Sequence, residues 1–146
     1  MEMHVIRETL NAMLTQAEGL VQDLRTLRDE LDDDAVQIPR QGRWTRLMLA
    51  QTWDRVHELS GVRALFELTA SRPGQVVTYN EVLQRSGLST KQQGNEHARL
   101  SRVTAEMFGE KRWPIENWQG SPGPNGAEMQ YRMSATIAEW FRDLTR

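Results

Sequence analysis

Between Thr78 and Gly109 the chain carries two sets of helix punctuation separated by one tight turn. Thr78-Tyr79-Asn80-Glu81 has the spacing of a capping box: the threonine oxygen accepts one free amide of the first turn and the glutamate reaches back to another. Val82 and Leu83 supply a buried side, and Gly87 stands where a left-handed residue closes a helix. Leu88 is placed to plug the turn. Ser89 or Thr90, followed three residues later by Gln92 or Gln93, starts a longer helix that Gly109 stops. A short capped helix, a turn and a long capped helix make a helix-turn-helix.

A second regular signal occupies the N-terminus. Met3, Ile6, Leu10, Met13, Ala17, Leu20, Leu24, Leu27 and Leu31 follow one another at alternating steps of three and four, the repeat of a coiled-coil seam. With Met3 at position a, Glu2 and Asp23 fall at g, and Arg7 and Arg28 at e of the following heptads, so each pair can bridge two parallel chains. Leu14 and Val21 also lie at e, which leaves antiparallel or higher-order packing open, as well as a helix folded back on its own domain. The expectation is a coiled-coil helix over residues 1–34 that joins two copies as a homodimer. Gly19 costs that helix about 1 kcal/mol, and Asp32-Asp33-Asp34 opposes its dipole at the end.

Residues 35–43, with Pro39 and Gly42, read as a linker before a domain over 44–146 whose core is 59–146. Trp44, Leu47, Met48, Trp53 and Val56 are spaced for a helix, and Ser60 is placed to cap the next one, with Val62, Leu65, Phe66 and Leu68 inward. Val76-Val77 predicts a short strand and Arg112-Trp113-Pro114-Ile115 an edge strand, because proline is tolerated only where no ladder amide is needed. A loop over 119–126 leads to Glu128–Met133, which alternates as a half-buried strand. Ser134 caps a final helix with Ile137, Ala138, Trp140, Phe141 and Leu144 as core contacts.

This order of elements resembles a winged helix-turn-helix. Residues 59–146 look like a winged-helix domain of bacterial transcription regulators, and the run Trp113-Pro114-Ile115-Glu116-Asn117-Trp118, with the loop and Tyr131, is similar to uncharacterised bacterial winged-helix proteins. The resemblance implies a mainly α fold with a small antiparallel β-wing, preceded here by the coiled-coil helix. It implies that the helix at about 90–108 reads the major groove and that the wing at about 111–133 touches the backbone. One departure is visible. With Gly87 set on the family's turn glycine, Gln93 and Glu96 stand where the family buries apolar residues. Either the turn is longer here, or the helix starts a turn or two before it meets the core, in which case Lys91–Glu96, with no apolar residue, projects beyond the domain.

Opposite Leu100, Val103 and Met107, the residues Lys91, Asn95, Ala98 and Arg102 form one stripe, with Gln92 and Arg99 beside it. Arginine and lysine pair with guanine edges, and asparagine or glutamine with adenine edges. Lys111 and Arg112 at the wing base and Asn125 at its tip are candidates for phosphate contact. The bland alternative for all of them is a solvated face. The net charge of -2 argues against a generic polyanion binder, yet Arg85–Arg112 holds six basic and three acidic residues. Trp113, Trp118, Tyr131 and Trp140 are read as core rather than as base-stacking groups.

His4, His57 and His97 lack metal-ligand spacing, and no phosphate loop or nucleophile motif is present, so neither an enzyme nor a metal or other cofactor is expected. The absence of cysteine, of a membrane-length apolar run and of a secretory pattern points to the cytoplasm. The expected function is a dimeric DNA-binding transcriptional regulator acting on double-stranded DNA. The alternative, prompted by Glu96 and Glu106 on the long helix, is a protein-interaction adaptor built on a winged helix that has lost DNA binding.

Overall fold

A computed structural model describes residues 2–32, 35–122 and 126–146, with side chains described as far as Arg25 in the first stretch. The chain divides into two compact units, Met1–Asp34 and Ala35–Arg146.

The first unit is one helix, α1 (Glu2–Asp32). Its three-four repeat places Met3, Ile6, Leu10, Met13, Leu20 and Leu24 along one side, and these six side chains are 55–77% exposed. His4 pairs with Glu8 one turn on, at 3.1 Å.

The second unit is mainly helical with small antiparallel sheets. It opens with strands β1 (Val36–Ile38) and β2 (Gly42–Trp44), paired as a hairpin. The stretch read as a linker is therefore structured. Pro39 and Gly42 punctuate a turn rather than a flexible segment, and the strands deliver Ile38 and the fully buried Trp44 to the core. The Gln41 N–H donates to the Ile38 carbonyl at 3.0 Å, and Arg40 at the turn takes φ +66°.

Helices α2 (Arg46–Val56) and α3 (Ser60–Ser71) follow. Thr45 caps α2 by accepting the Met48 N–H at 3.1 Å. The expected cap of α3 is not used: Ser60 is already helical and Leu59 at the cap position offers no side-chain bond. Val62, Leu65 and Phe66 of α3 are fully buried. Trp53 stacks on Phe66 at 5.3 Å and meets Phe141 edge-on at 4.8 Å.

Strand β3 (Val77–Thr78) leads into α4 (Tyr79–Ser86), α5 (Thr90–Phe108), β4 (Glu116–Gln119), β5 (Met129–Arg132) and α6 (Ala135–Thr145). The three strands order as β3-β5-β4, all antiparallel, with Glu116 opposite Arg132 and Val77 opposite Tyr131. The predicted edge strand at 112–115 begins later, at Glu116. Trp113, Pro114 and Ile115 instead turn into the core as an irregular lead-in, where proline needs no ladder partner. Ile137, Ala138, Trp140 and Phe141 of α6 are buried, whereas Leu144 in the last turn is 38% exposed rather than a core contact.

Candidate functional site

Both capping boxes form. The Thr78 oxygen accepts the Glu81 N–H and the Glu81 carboxylate accepts the Thr78 N–H; Ser89 and Gln92 do the same for α5. Gly87 and Gly109 close their helices at φ +73° and +83°, in the left-handed region that costs an L side chain about 1–2 kcal/mol. The Tyr79 hydroxyl donates to the Thr90 carbonyl at 3.0 Å and so ties the start of α4 to the start of α5.

The first turns of α5 do not project beyond the domain. Gln93 is fully buried, His97 nearly so, and Glu96 half-buried. Part of their polarity is met by one glycine of α3, while the buried Gln93 Oε1 has no hydrogen-bond partner among the described residues. The Gly61 N–H donates to Glu96 Oε1 at 2.8 Å, which supplies from a neighbouring helix the cap that α3 lacks. Gln93 Nε2 donates to the Gly61 carbonyl at 2.9 Å and to His97 Nε2 at 2.7 Å. Because a carbonyl only accepts, this fixes the orientation of the Gln93 amide and places the imidazole proton on Nδ1. A Cβ at position 61 would stand 2.7 Å from Gln93 Oε1 and 2.9 Å from Leu88 Cδ1, so the close approach of α3 to the turn requires glycine.

The His97 ring lies among Tyr79, Trp113 and Tyr131, with centroids 5.8, 5.3 and 5.8 Å away and all three edge-on. Burial there pushes its pKa down to about 4, and burial also raises the Tyr131 and Tyr79 hydroxyls. Trp113 donates its indole N–H to Ser101 Oγ at 3.0 Å. These aromatics are structural, and they lock the inner face of α5.

The outer face of α5 is left free. Lys91, Gln92, Gly94, Asn95, Ala98, Arg99 and Arg102 are all exposed. The Gln92 oxygen is engaged in the capping box. Among the described residues of the second unit, Lys91, Arg99, Arg102, Lys111 and Arg142 are the cationic side chains with no hydrogen bond, ion pair or ring contact. Elsewhere arginines are paired: Arg55 with Glu106, Arg72 with Glu81, Arg85 with Glu67, Arg40 and Arg132 with Glu116. Gly94 meets nothing within 4 Å of a Cβ position, so its own fold places no demand on it.

The two wing-base candidates part company. Lys111 is exposed, but Arg112 is drawn inward. Its Nη1 donates to the Arg43 carbonyl at 3.3 Å, and its guanidinium lies over the Phe108 and Trp44 rings at 5.5 and 5.9 Å. Asn125 lies outside the described residues. In the β4–β5 hairpin, Trp118 Nε1 donates to Gln130 Oε1 at 2.9 Å directly across the ladder. Glu128 reaches back to accept the Asn80 N–H at 2.7 Å, joining the hairpin to the first turn of α4. Nothing in the local sequence marks that contact, because its partners are 48 residues apart.

His4 and His57 lie apart from this site: the first pairs with Glu8, and the second bonds to the Trp53 and Asp54 carbonyls. Among the described residues no helix is long and apolar enough to cross a membrane. Compared with protein-family models, curated proteins and solved structures, the chain gives no match.

Proposed function

We propose that the second unit is a winged helix-turn-helix that binds double-stranded DNA, with α5 in the major groove and the β4–β5 hairpin on the backbone, and that the protein regulates transcription as a homodimer in the cytoplasm. The carrying observation is the concentration of uncompensated positive charge on one helix face: Lys91, Arg99 and Arg102 of α5 stand exposed and unpaired while the neighbouring arginines are neutralised internally. Residues 35–146 hold 15 basic and 11 acidic residues, a net of +4 that favours a polyanion. The order helix, strand, helix, helix, strand, strand with β3-β5-β4 pairing supports the same reading.

Within this reading Asn95 and Arg102 read base edges, and Lys91, Arg99 and Lys111 hold phosphates. From Lys91 to Arg102 the helix rises about 16 Å, enough to follow the groove floor across several base pairs. Arg112 is a packing residue that shapes the hairpin base. The two acids that favour an adaptor are occupied elsewhere, Glu96 by the Gly61 N–H and Glu106 by Arg55 at 2.7 Å. The role proposed is binding rather than catalysis.

The test is selection of bound sequences from random duplex DNA, followed by titration in low and moderate salt. An enriched motif is expected, with Arg102→Ala and Asn95→Ala each weakening it about 10- to 100-fold, the equivalent of one lost bidentate base contact. Absence of any binding at low salt, or unchanged affinity in both variants, overturns the proposal, and the first of these results favours the adaptor.

A further inference from the structure

We infer that two copies of α1 pair in parallel, with equivalent heptad positions side by side, so that both chains continue into their second units from the same end of the pair. The inference rests on the self-association proposed above but is independent of DNA binding. Along the described side chains of α1 the seam is uncovered: Met3, Ile6, Leu10, Met13, Leu20 and Leu24 are each more than half exposed. A helix with this repeat buries such a seam by setting it against a partner of the same spacing, and a second copy supplies it layer for layer.

The charges beside the seam choose the orientation. Counting Met3 as a, the charged residues at e are Arg7 and Arg28, all basic; those at g are Glu2, Asp23 and Glu30, all acidic. In a parallel pair, g of one helix faces e of the other, so Glu2 meets Arg7 of the second copy. In an antiparallel pair, e faces e and g faces g. Whatever the register, charges that meet there have the same sign. Arg7 and Asp23 make no hydrogen bond or ion pair within their own chain among the described residues, so both are available for contacts between copies. The intrachain pair present, His4 with Glu8, uses positions b and f on the far side.

Orientation decides what the assembly can read. A parallel pair has a twofold axis along the helices, and both chains leave it at the same end. An antiparallel pair would send them from opposite ends of a rod about 45 Å long. The parallel arrangement calls for an inverted repeat whose half-sites lie about 34 Å apart or a multiple of that.

The chain contains no cysteine, so single cysteines report orientation directly in the full-length protein. Ile6→Cys and Leu24→Cys are oxidised separately and as an equimolar mixture, and sedimentation gives the mass of the unlabelled chain. The expected result is twice the chain mass, a disulfide-linked homodimer for each variant alone, and no 6-to-24 cross-link in the mixture. Cross-linking only in the mixture overturns the inference in favour of an antiparallel pair. A monomer, meaning a helix folded on its own chain, or a trimer or tetramer overturns it as well. Arg7→Glu is expected to weaken association about tenfold, and Glu2→Arg in the same chain to restore it. If restoration fails, charge does not set the orientation. Cross-links without DNA binding would defeat only the reading of α5, and DNA binding without these cross-links would defeat only this inference.

Discussion

Glu116 and Arg132 face each other directly across β4 and β5, and a single carboxylate oxygen of Glu116 accepts both the Nε and Nη2 hydrogens of Arg132, at 3.0 and 2.7 Å. The pair is asymmetric. The Glu116 side chain is 8% exposed, while Arg132 is 42% exposed and Arg40, which adds a bond at 3.3 Å, is 60% exposed.

That asymmetry fixes the order of mutant stabilities. Arg132→Ala leaves a buried carboxylate with one exposed partner and is expected to cost about 2–3 kcal/mol. Glu116→Ala leaves arginines that can turn to water and is expected to cost about 1 kcal/mol. Urea midpoints check the order, and the double variant should be more stable than Arg132→Ala alone.

Arg40 sits at φ +66° in the β1–β2 turn, where glycine carries no Cβ penalty. Arg40→Gly and Arg40→Ala both lose the exposed pair with Glu116, so their difference isolates the backbone. The glycine variant is expected to be the more stable by about 1 kcal/mol. Thermal melts of the two variants give the comparison, and equal midpoints would show that the turn is unstrained.

Gly61→Ala drives a methyl to within 2.7 Å of a Gln93 oxygen whose amide is held by two bonds. A loss of about 1–3 kcal/mol is expected, as for overpacking elsewhere. Adding Gln93→Ala opens the space and should recover part of it. A double variant no better than the sum of the singles would contradict the contact.

His97 gives the fold a pH dependence of definite sign. Its pKa falls from 6.5 to about 4 on burial, so below pH 6.5 the unfolded chain takes up a proton that the folded chain refuses. Stability is therefore full above about pH 6.5 and declines as pH falls toward 4, by roughly 3 kcal/mol in all. Glu81, whose pKa is held down chiefly by its bond to Arg72, adds a loss of the same sign at lower pH. Denaturant titrations at pH 7 and 4.5 measure the slope between them. In His97→Gln the slope should flatten, though the protein starts less stable.

The parts of this fold legible in the sequence are those governed by near neighbours. Thr78 with Glu81 and Ser89 with Gln92 are three residues apart, and both boxes form as their spacing dictates. The extent of α1 follows from its repeat. The hairpin at 36–44 was hidden because its strands are three residues long, too short for alternation to register, while Pro39 and Gly42 mimic a linker. The inner face of α5 was readable in period but not in polarity. Gln93, His97, Leu100 and Thr104 advance by four, three and four, a core stripe, yet three of them are polar and one of those is titratable. The partner of the Gln93 amide is the carbonyl of Gly61, 32 residues before it, and pairing at that distance leaves no local trace. The exposed stripe, by contrast, lies where the wheel puts it, whereas Arg112 at the wing base is drawn against the rings of Trp44 and Phe108, which its local sequence does not show.

The Gly61 contact also bears on how the chain can vary over time. Residues 61, 93, 96 and 97 share one small volume and one set of bonds, so a change at one is expected to require a change at another. A descendant that acquires a side chain at 61 must shorten residue 93, and one that loses the carboxylate at 96 must find another cap for α3. The exposed positions 91, 95, 99 and 102 carry no such debt. The same helix therefore holds an inner face whose residues constrain one another and an outer face on which the fold places no such demand, so that substitutions there are expected to leave the fold intact.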